Sequence, residues 1–157
     1  MKILIAYASK KGATQDMAAR IARGLGNADL VDMCNARAGA VDLSGYGLVV
    51  IGSPSYIGAL HKDATTWIKA RAAELSGKKL AFFELGSAMN ELAIKTTFPS
   101  LYSGAIAATK LGGEIRWNKL SSLEKLAVKA IMKTSGDSST IDQHAVDDFI
   151  ATLAALA

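Results

Sequence analysis

The first 25 residues constrain the fold most tightly. Lys2-Ile3-Leu4-Ile5-Ala6-Tyr7-Ala8 is an apolar run of strand length, and Met17, Ile21 and Leu25 recur every fourth residue, as on one face of a helix. Between them lies Ser9-Lys10-Lys11-Gly12-Ala13-Thr14-Gln15. A polar, Gly-bearing turn from a buried strand into a helix N-terminus suits a phosphate, because free amides point out of it and the helix dipole favours an anion. Ser9 and Thr14 add hydroxyl donors, and Gly12 lets the backbone curl close to a ligand. Neither Gly-x-x-x-x-Gly-Lys-Ser/Thr nor Gly-x-Gly-x-x-Gly is present, which argues against a nucleoside triphosphatase and a dinucleotide fold. The plainer alternative is a tight turn in which Thr14 only caps the helix.

Strand and helix patterns then alternate to the end of the chain. Strands are expected over 29–33, 48–51, 79–85 and 105–111. Trp67, Ile68 and Leu75 mark the buried side of one helix, and 91–102 reads as helix interrupted by Pro99. Two closing helices open on capping boxes, Ser121 with Glu124 and Thr140 with Gln143. The first is expected to bury Leu123, Leu126 or Ala127, and Ile131; the last Val146, Phe149, Ile150 and Leu153. Apolar strands without strict alternation need cover on both faces. The chain is therefore expected to be a single α/β domain over 1–157, an open parallel sheet of about five strands wrapped by helices on both sides.

Ligands on such sheets bind beyond the C-terminal ends of the strands. The tip after the third strand is Gly52-Ser53-Pro54-Ser55-Tyr56-Ile57-Gly58, and that after the fourth is Gly86-Ser87-Ala88-Met89-Asn90. Pro54 stiffens its turn. Tyr56 offers a flat face for stacking, and Met89 can pack on a ring. With the first loop they describe a phosphate cradle beside two ring-holding walls, suited to a cofactor with one phosphate and one flat head group. Read separately, the third-strand tip is also a rigid turn with Tyr56 packed on the surface.

Composition supports a folded chain: 157 residues, 50% hydrophobic and 20% charged, exclude disorder. The net charge of +4 suits an acidic partner or a membrane surface. Without aromatic–basic interleaving it does not imply nucleic acid. The lone Cys34 is expected to be a buried small hydrophobe, and no Cys/His spacing suggests a metal. No apolar run reaches the length of a membrane span, and the chain opens on a strand rather than a signal peptide, so a cytoplasmic protein is expected. His61, at a helix start, is a candidate proton shuttle or a local cap. Lys125, Lys129 and Lys133, preceded by Arg116, Trp117 and Lys119, form a stripe for an anionic membrane or an acidic redox partner, or simply a wetted helix face.

The three tips, Ser9 to Thr14, Ser53 to Gly58 and the glycine loop at Gly86, resemble those of the flavodoxin superfamily, over nearly the whole chain. The resemblance implies a three-layer αβα sandwich with strand order 2-1-3-4-5 and non-covalently bound flavin mononucleotide (FMN). The implied cofactor-binding residues are Ser9, Lys10, Lys11, Gly12, Ala13 and Thr14; Ser53, Pro54, Ser55, Tyr56, Ile57 and Gly58; and Gly86, Ser87, Ala88 and Met89. Tyr56 and Met89 would sandwich the isoalloxazine. No Asp or Glu lies between Ser53 and Leu60, which favours a less negative potential than that of acidic carriers.

A narrower resemblance, to flavodoxin-like quinone-dependent protoporphyrinogen dehydrogenases, rests on Tyr56-Ile57-Gly58-Ala59-Leu60-His61 and on Ile131-Met132-Lys133-Thr134-Ser135-Gly136. It implies oxidation of a ring substrate with electrons passed to quinone. Electron-carrier flavodoxins are typically acidic, whereas this chain is basic, and they place an aromatic where Met89 stands. The dehydrogenases carry a long basic insertion after strand four, for which 90–104 is short. The readings are thus an electron carrier serving a redox partner protein, a dehydrogenase serving quinone, and a non-redox module that kept the fold. Apolar surface on the glycine loops would permit a homodimer.

Overall fold

Three apolar strands form the centre of the molecule because neither side of them tolerates water, and a partly exposed strand flanks them at each edge. The computed structural model describes residues 1–87, 91–133 and 135–157. In chain order the elements are β1 (Ile3–Tyr7), α1 (Ala13–Leu25), β2 (Ala28–Asp32), a 3₁₀ turn (Ala36–Ala40), β3 (Leu48–Tyr56), β4 (Ala59–Leu60), α2 (Lys62–Ala70), α3 (Ala72–Leu75) and β5 (Lys79–Leu85). There follow α4 (Ala93–Thr97), α5 (Pro99–Ser103), β6 (Ala107–Lys110), β7 (Glu114–Ile115), a 3₁₀ turn (Trp117–Lys119), α6 (Ser122–Met132), β8 (Ser138–Ser139) and α7 (Gln143–Leu156).

The sheet runs β2-β1-β3-β5-β6 with every neighbour parallel, and β4 folds back antiparallel on β3. Counted as five parallel strands, this is the expected 2-1-3-4-5 order. Successive strand residues face opposite sides, so the sheet carries two cores. Leu4, Val49, Ile51, Leu80 and Phe82 pack with Trp67, Ile68, Leu75, Ile94 and Leu101 of α2 to α5. Ile3, Ile5, Val50 and Phe83 pack with Met17 and Ile21 of α1 and Val146, Phe149 and Leu153 of α7. Phe83 meets Phe149 edge to face with centroids 6.3 Å apart.

The structure moves several boundaries. The third strand, expected over 48–51, continues to Tyr56 because β5 stays paired with it, Gly52 to Phe83, Ser53 to Glu84 and Pro54 to Leu85. Gly52 is required there, since a Cβ would lie 2.1 Å from the Phe83 ring. Pro99 divides its segment into two short helices and takes the first turn of α5, where its missing N–H costs nothing. The final helix is capped by Asp142, which accepts from the Ala145 N–H at 3.0 Å, not by Thr140. Thr140 instead accepts from the Gly113 N–H at 3.0 Å. Ile150 is half-buried, against Gly24.

Two burial expectations fail. Cys34 is exposed, because it lies in the turn after β2 rather than within the strand. The Ser121–Glu124 capping box forms as expected, yet no residue of α6 is buried. Leu123 is 78%, Leu126 65% and Ile131 80% exposed. The cause is topological. The chain leaves the sheet after β6 at Gly112, whose φ of 90° only glycine adopts easily, and runs through β7, α6 and β8 before returning to α7. Residues of α6 belong to neither core. Among the described residues, no helix is long and apolar enough to cross a membrane.

Candidate functional site

The C-terminal ends of β1, β3 and β5 form the floor of a pocket of about 630 Å³, and the 114–140 excursion supplies its roof. That volume is of the size that holds a cofactor.

At the first tip Ser9 Oγ accepts from the Gly12 N–H at 3.0 Å, closing the turn. Gly12 is the N-cap of α1 with φ 94° and no capping side chain. A Cβ at Gly12 would sit 2.8 Å from Arg116 Nη1, so the glycine keeps the backbone open beside a guanidinium. Thr14 does not cap; it lies in the first turn, 2% exposed, and lines the pocket with Ser9, Lys10, Lys11 and Ala13. Amides of a first helical turn lack intrahelical partners. Ala13 and Thr14 therefore bring donor N–H groups and the positive dipole end to this corner. The lysine side chains point elsewhere. Lys11 Nζ donates to the Lys119 carbonyl at 2.8 Å and to Glu124 at 3.0 Å, and Lys10 lies 3.6 Å from Glu124. They bind the loop to the roof.

At the second tip Pro54, Ser55 and Tyr56 line the pocket, with Tyr56 half exposed. Ser53 is buried beneath them; its hydroxyl donates to the Pro54 carbonyl at 2.8 Å and accepts from the His61 N–H at 3.0 Å. Ile57 and Gly58 make the two-residue turn of the β3–β4 hairpin, with φ 49° and 76°, and they do not line the pocket. A β-branched residue at positive φ is a genuine outlier, and such strain concentrates at functional sites. Ile57 is 99% exposed.

At the third tip Gly86 and Ser87 line the pocket, while Ala88, Met89 and Asn90 lie outside the described residues. A Cβ at Gly86 would fall 2.8 Å from the Ser55 carbonyl oxygen, so glycine lets the second and third tips touch. Behind them the buried Glu84 carboxylate accepts from the Ala93 and Ile94 N–H groups at 2.9 and 3.1 Å, fixing the start of α4.

The roof was not legible from the chain. Ile115, Leu120, Ala127, Val128 and Met132 supply its apolar lining, and Glu114, Arg116 and Glu124 its charges. Arg116 bonds both Asp16 and Glu114, which raises its affinity for its proton further. The Lys11 hydrogen bond, with the Ser121 N–H next, lowers the Glu124 carboxyl to about 2. Three cations, Lys10, Lys11 and Arg116, are thus paired with three carboxylates, Glu124, Glu114 and Asp16, of which Glu114 and Glu124 line the pocket. Spacing was one available signal: Glu124, Val128 and Met132 recur every fourth residue on α6, apart from the lysine row.

His61 is the N-cap of α2, its Nδ1 accepting from the Asp63 N–H at 3.1 Å, and it does not line the pocket. That hydrogen bond supports the local-cap reading. The fold does bring Cys34, His61 and Asp63 together, with ligand-type atoms within 4.8 Å. The Cys34 thiol is pushed up to about 11, chiefly by desolvation of the sulfur, and its S–H contacts the Ser9 carbonyl at 3.8 Å.

The arrangement is an apolar-walled cleft with an amide-lined corner suited to an anion and one available aromatic face. A flavodoxin domain family profile matches residues 4–142. Flavodoxin 2 from Bacillus cereus superposes with TM-score 0.65 at 24% identity, covering 100% of both chains. Flavodoxin 1 from the same organism gives 0.64 at 18% identity over 97% of this chain and 96% of that one. A flavoprotein from Lactobacillus acidophilus NCFM, solved in complex with FMN, gives 0.52 at 20% identity over 71% of this chain and 91% of that one. No curated protein sequence matches the chain. The profile spans most of the chain, so the chain belongs to the flavodoxin domain family.

Proposed function

We propose that the protein binds FMN non-covalently at this pocket and transfers electrons to and from a redox partner. One observation carries the reading: the first turn of α1 at Ala13 and Thr14 and the half-exposed Tyr56 line one cleft formed by the parallel strand ends. The residues fit the group, since the positions where a Cβ would close the cradle, Gly12 and Gly86, are glycines. The first-turn amides with Ser9 and Thr14 would hold the phosphate, Arg116 would add positive charge, and Tyr56 would cover one side of the ring. Bound there, the flavin supplies the redox chemistry, and the protein supplies position and electrostatics. Met132, Val128 and Leu120 exclude water from the side facing the roof.

Titration of the purified full chain with FMN, followed by calorimetry and visible absorption, should give one saturable site and a perturbed flavin spectrum. Tyr56→Ala should weaken binding on the order of tenfold through loss of an aromatic stacking contact. A colourless protein that takes up no added FMN would end the proposal.

A second reading, a protoporphyrinogen dehydrogenase delivering electrons to quinone, gains from one observation. The helix ending that suggested it brings Met132 into the pocket lining, where Ile115, Leu120 and Val128 make a wide apolar wall. Turnover of protoporphyrinogen with a quinone acceptor would separate this enzyme from a carrier.

A further inference from the structure

Helix α6 divides into three stripes. Glu124, Val128 and Met132 face the pocket. Lys125, Lys129 and, at the C-cap, Lys133 form a basic row. Leu123, Leu126, Ala130 and Ile131 form a third face that the fold leaves in water, with Ala127 at its border with the pocket. Four of the nine large hydrophobic residues exposed among the described residues belong to this one helix. It exists as a helix for local reasons, a complete capping box and a tether from Glu124 to Lys11, and not because its apolar face is covered.

We propose that α6 is an interfacial helix that docks the protein on an anionic lipid surface, its Leu123, Leu126 and Ile131 side chains entering the bilayer interface and its lysine row meeting the headgroups. An apolar face bordered by lysines is what an interfacial helix needs, because the aliphatic lysine stems follow the apolar surface while the ammonium groups reach phosphate. Lys119 and Trp117 extend the patch, and Lys125 lies 5.7 Å from the Trp117 ring; tryptophan favours the membrane–water boundary. A second copy of the chain fits this face less well. A twofold contact would set one lysine row close to its own image. The helix's sole carboxylate, Glu124, is already held by Lys10 and Lys11. Docking in this way sets the pocket roof against the bilayer, and it does not depend on what the pocket holds.

The test is co-sedimentation of the purified full chain with phosphatidylcholine vesicles and with phosphatidylcholine–phosphatidylglycerol vesicles at low salt. Binding should require the anionic lipid and weaken as salt rises. Trp67 is buried, so a blue shift of tryptophan emission on binding reports Trp117 at the interface. Leu126→Glu with Ile131→Glu should reduce partitioning at least about tenfold. Lys129→Gln with Lys133→Gln should reduce it roughly 25-fold, about fivefold per lysine. All four positions are exposed, and unchanged thermal unfolding by circular dichroism will show that the variants fold.

The proposal is overturned if the wild-type chain ignores anionic vesicles. It is overturned equally if neutral vesicles bind as well, or if the leucine–isoleucine pair leaves binding unchanged. A dimer in light scattering that Leu126→Glu splits, with no lipid binding, would assign the face to a second copy and reject the bilayer.

Discussion

The floor and the roof of the pocket are built on opposite principles. The floor is the end of a buried sheet: Ile3, Leu4, Ile5, Val49, Val50, Phe82 and Phe83 are all at most 2% exposed. Each packs into one of the two cores that cover the sheet. The roof is a detour on the surface, held by hydrogen bonds and ion pairs among Lys11, Arg116, Ser121 and Glu124, with Leu123, Leu126 and Ile131 turned outside. A site can thus have half its wall set by core packing and half by a few polar contacts. The second half leaves apolar surface exposed to meet something else.

The sharpest way to break this contrast is to truncate one apolar side chain on each side. Phe83→Ala removes a ring packed on Phe149 and on the backbone at Gly52, and should cost about 3–5 kcal/mol in denaturant unfolding. Leu126→Ala should change stability by no more than about 0.5 kcal/mol, as exposed sites do. A loss above about 1 kcal/mol at Leu126 would mean that the helix packs on the body of the protein in solution, and the contrast would fail.

That asymmetry also explains what the chain revealed. The floor was legible because burial writes a pattern: an apolar run, a polar Gly-bearing turn, then Met17 and Ile21 at helical spacing. Even where the third strand ran on to Tyr56, the residues concerned had been picked out as a site segment. The roof was misread because a capped helix with Leu123, Leu126 and Ile131 at helical spacing looks the same whether its apolar side meets a core or open solvent. Periodicity specifies a face, but not its partner. Cys34 failed similarly, since its exposure depends on where β2 stops. Gly112 was the available clue to the detour, but its positive φ becomes visible only in three dimensions.

Ser121→Ala probes the roof at moderate scale. It removes the hydroxyl that accepts from the Glu124 N–H at 3.1 Å and should destabilise α6 by about 1 kcal/mol. Hydrogen exchange should show faster opening across 122–132 with little change in β1, β3 and β5. Equal acceleration in both regions would show that roof and floor open as one unit.

The smallest effect is a pH response confined to the roof. Glu124 titrates at about 2 in the folded protein against an ordinary 4.5, chiefly because Lys11 donates to its carboxylate. A depressed carboxyl contributes stability that is complete above the unfolded value and is lost as pH falls toward the folded one. The roof should therefore hold at neutral pH and loosen as pH drops through the window from 4.5 to about 2. Because the carboxylate is solvent-screened, the contribution is slight, and the readout should be local rather than global. Trp117 serves, since Lys125 of α6 lies against its ring while Trp67 stays in the core. Its emission should shift in that window before the far-ultraviolet signal of the sheet and helices is lost. In Glu124→Gln, which keeps an acceptor for the Ser121 N–H but has no charge to titrate, the early shift should be absent. A wild-type profile in which both signals change together, or an early shift that survives in Glu124→Gln, would remove Glu124 as the latch and leave Arg116 with Asp16 as the main tie between roof and floor.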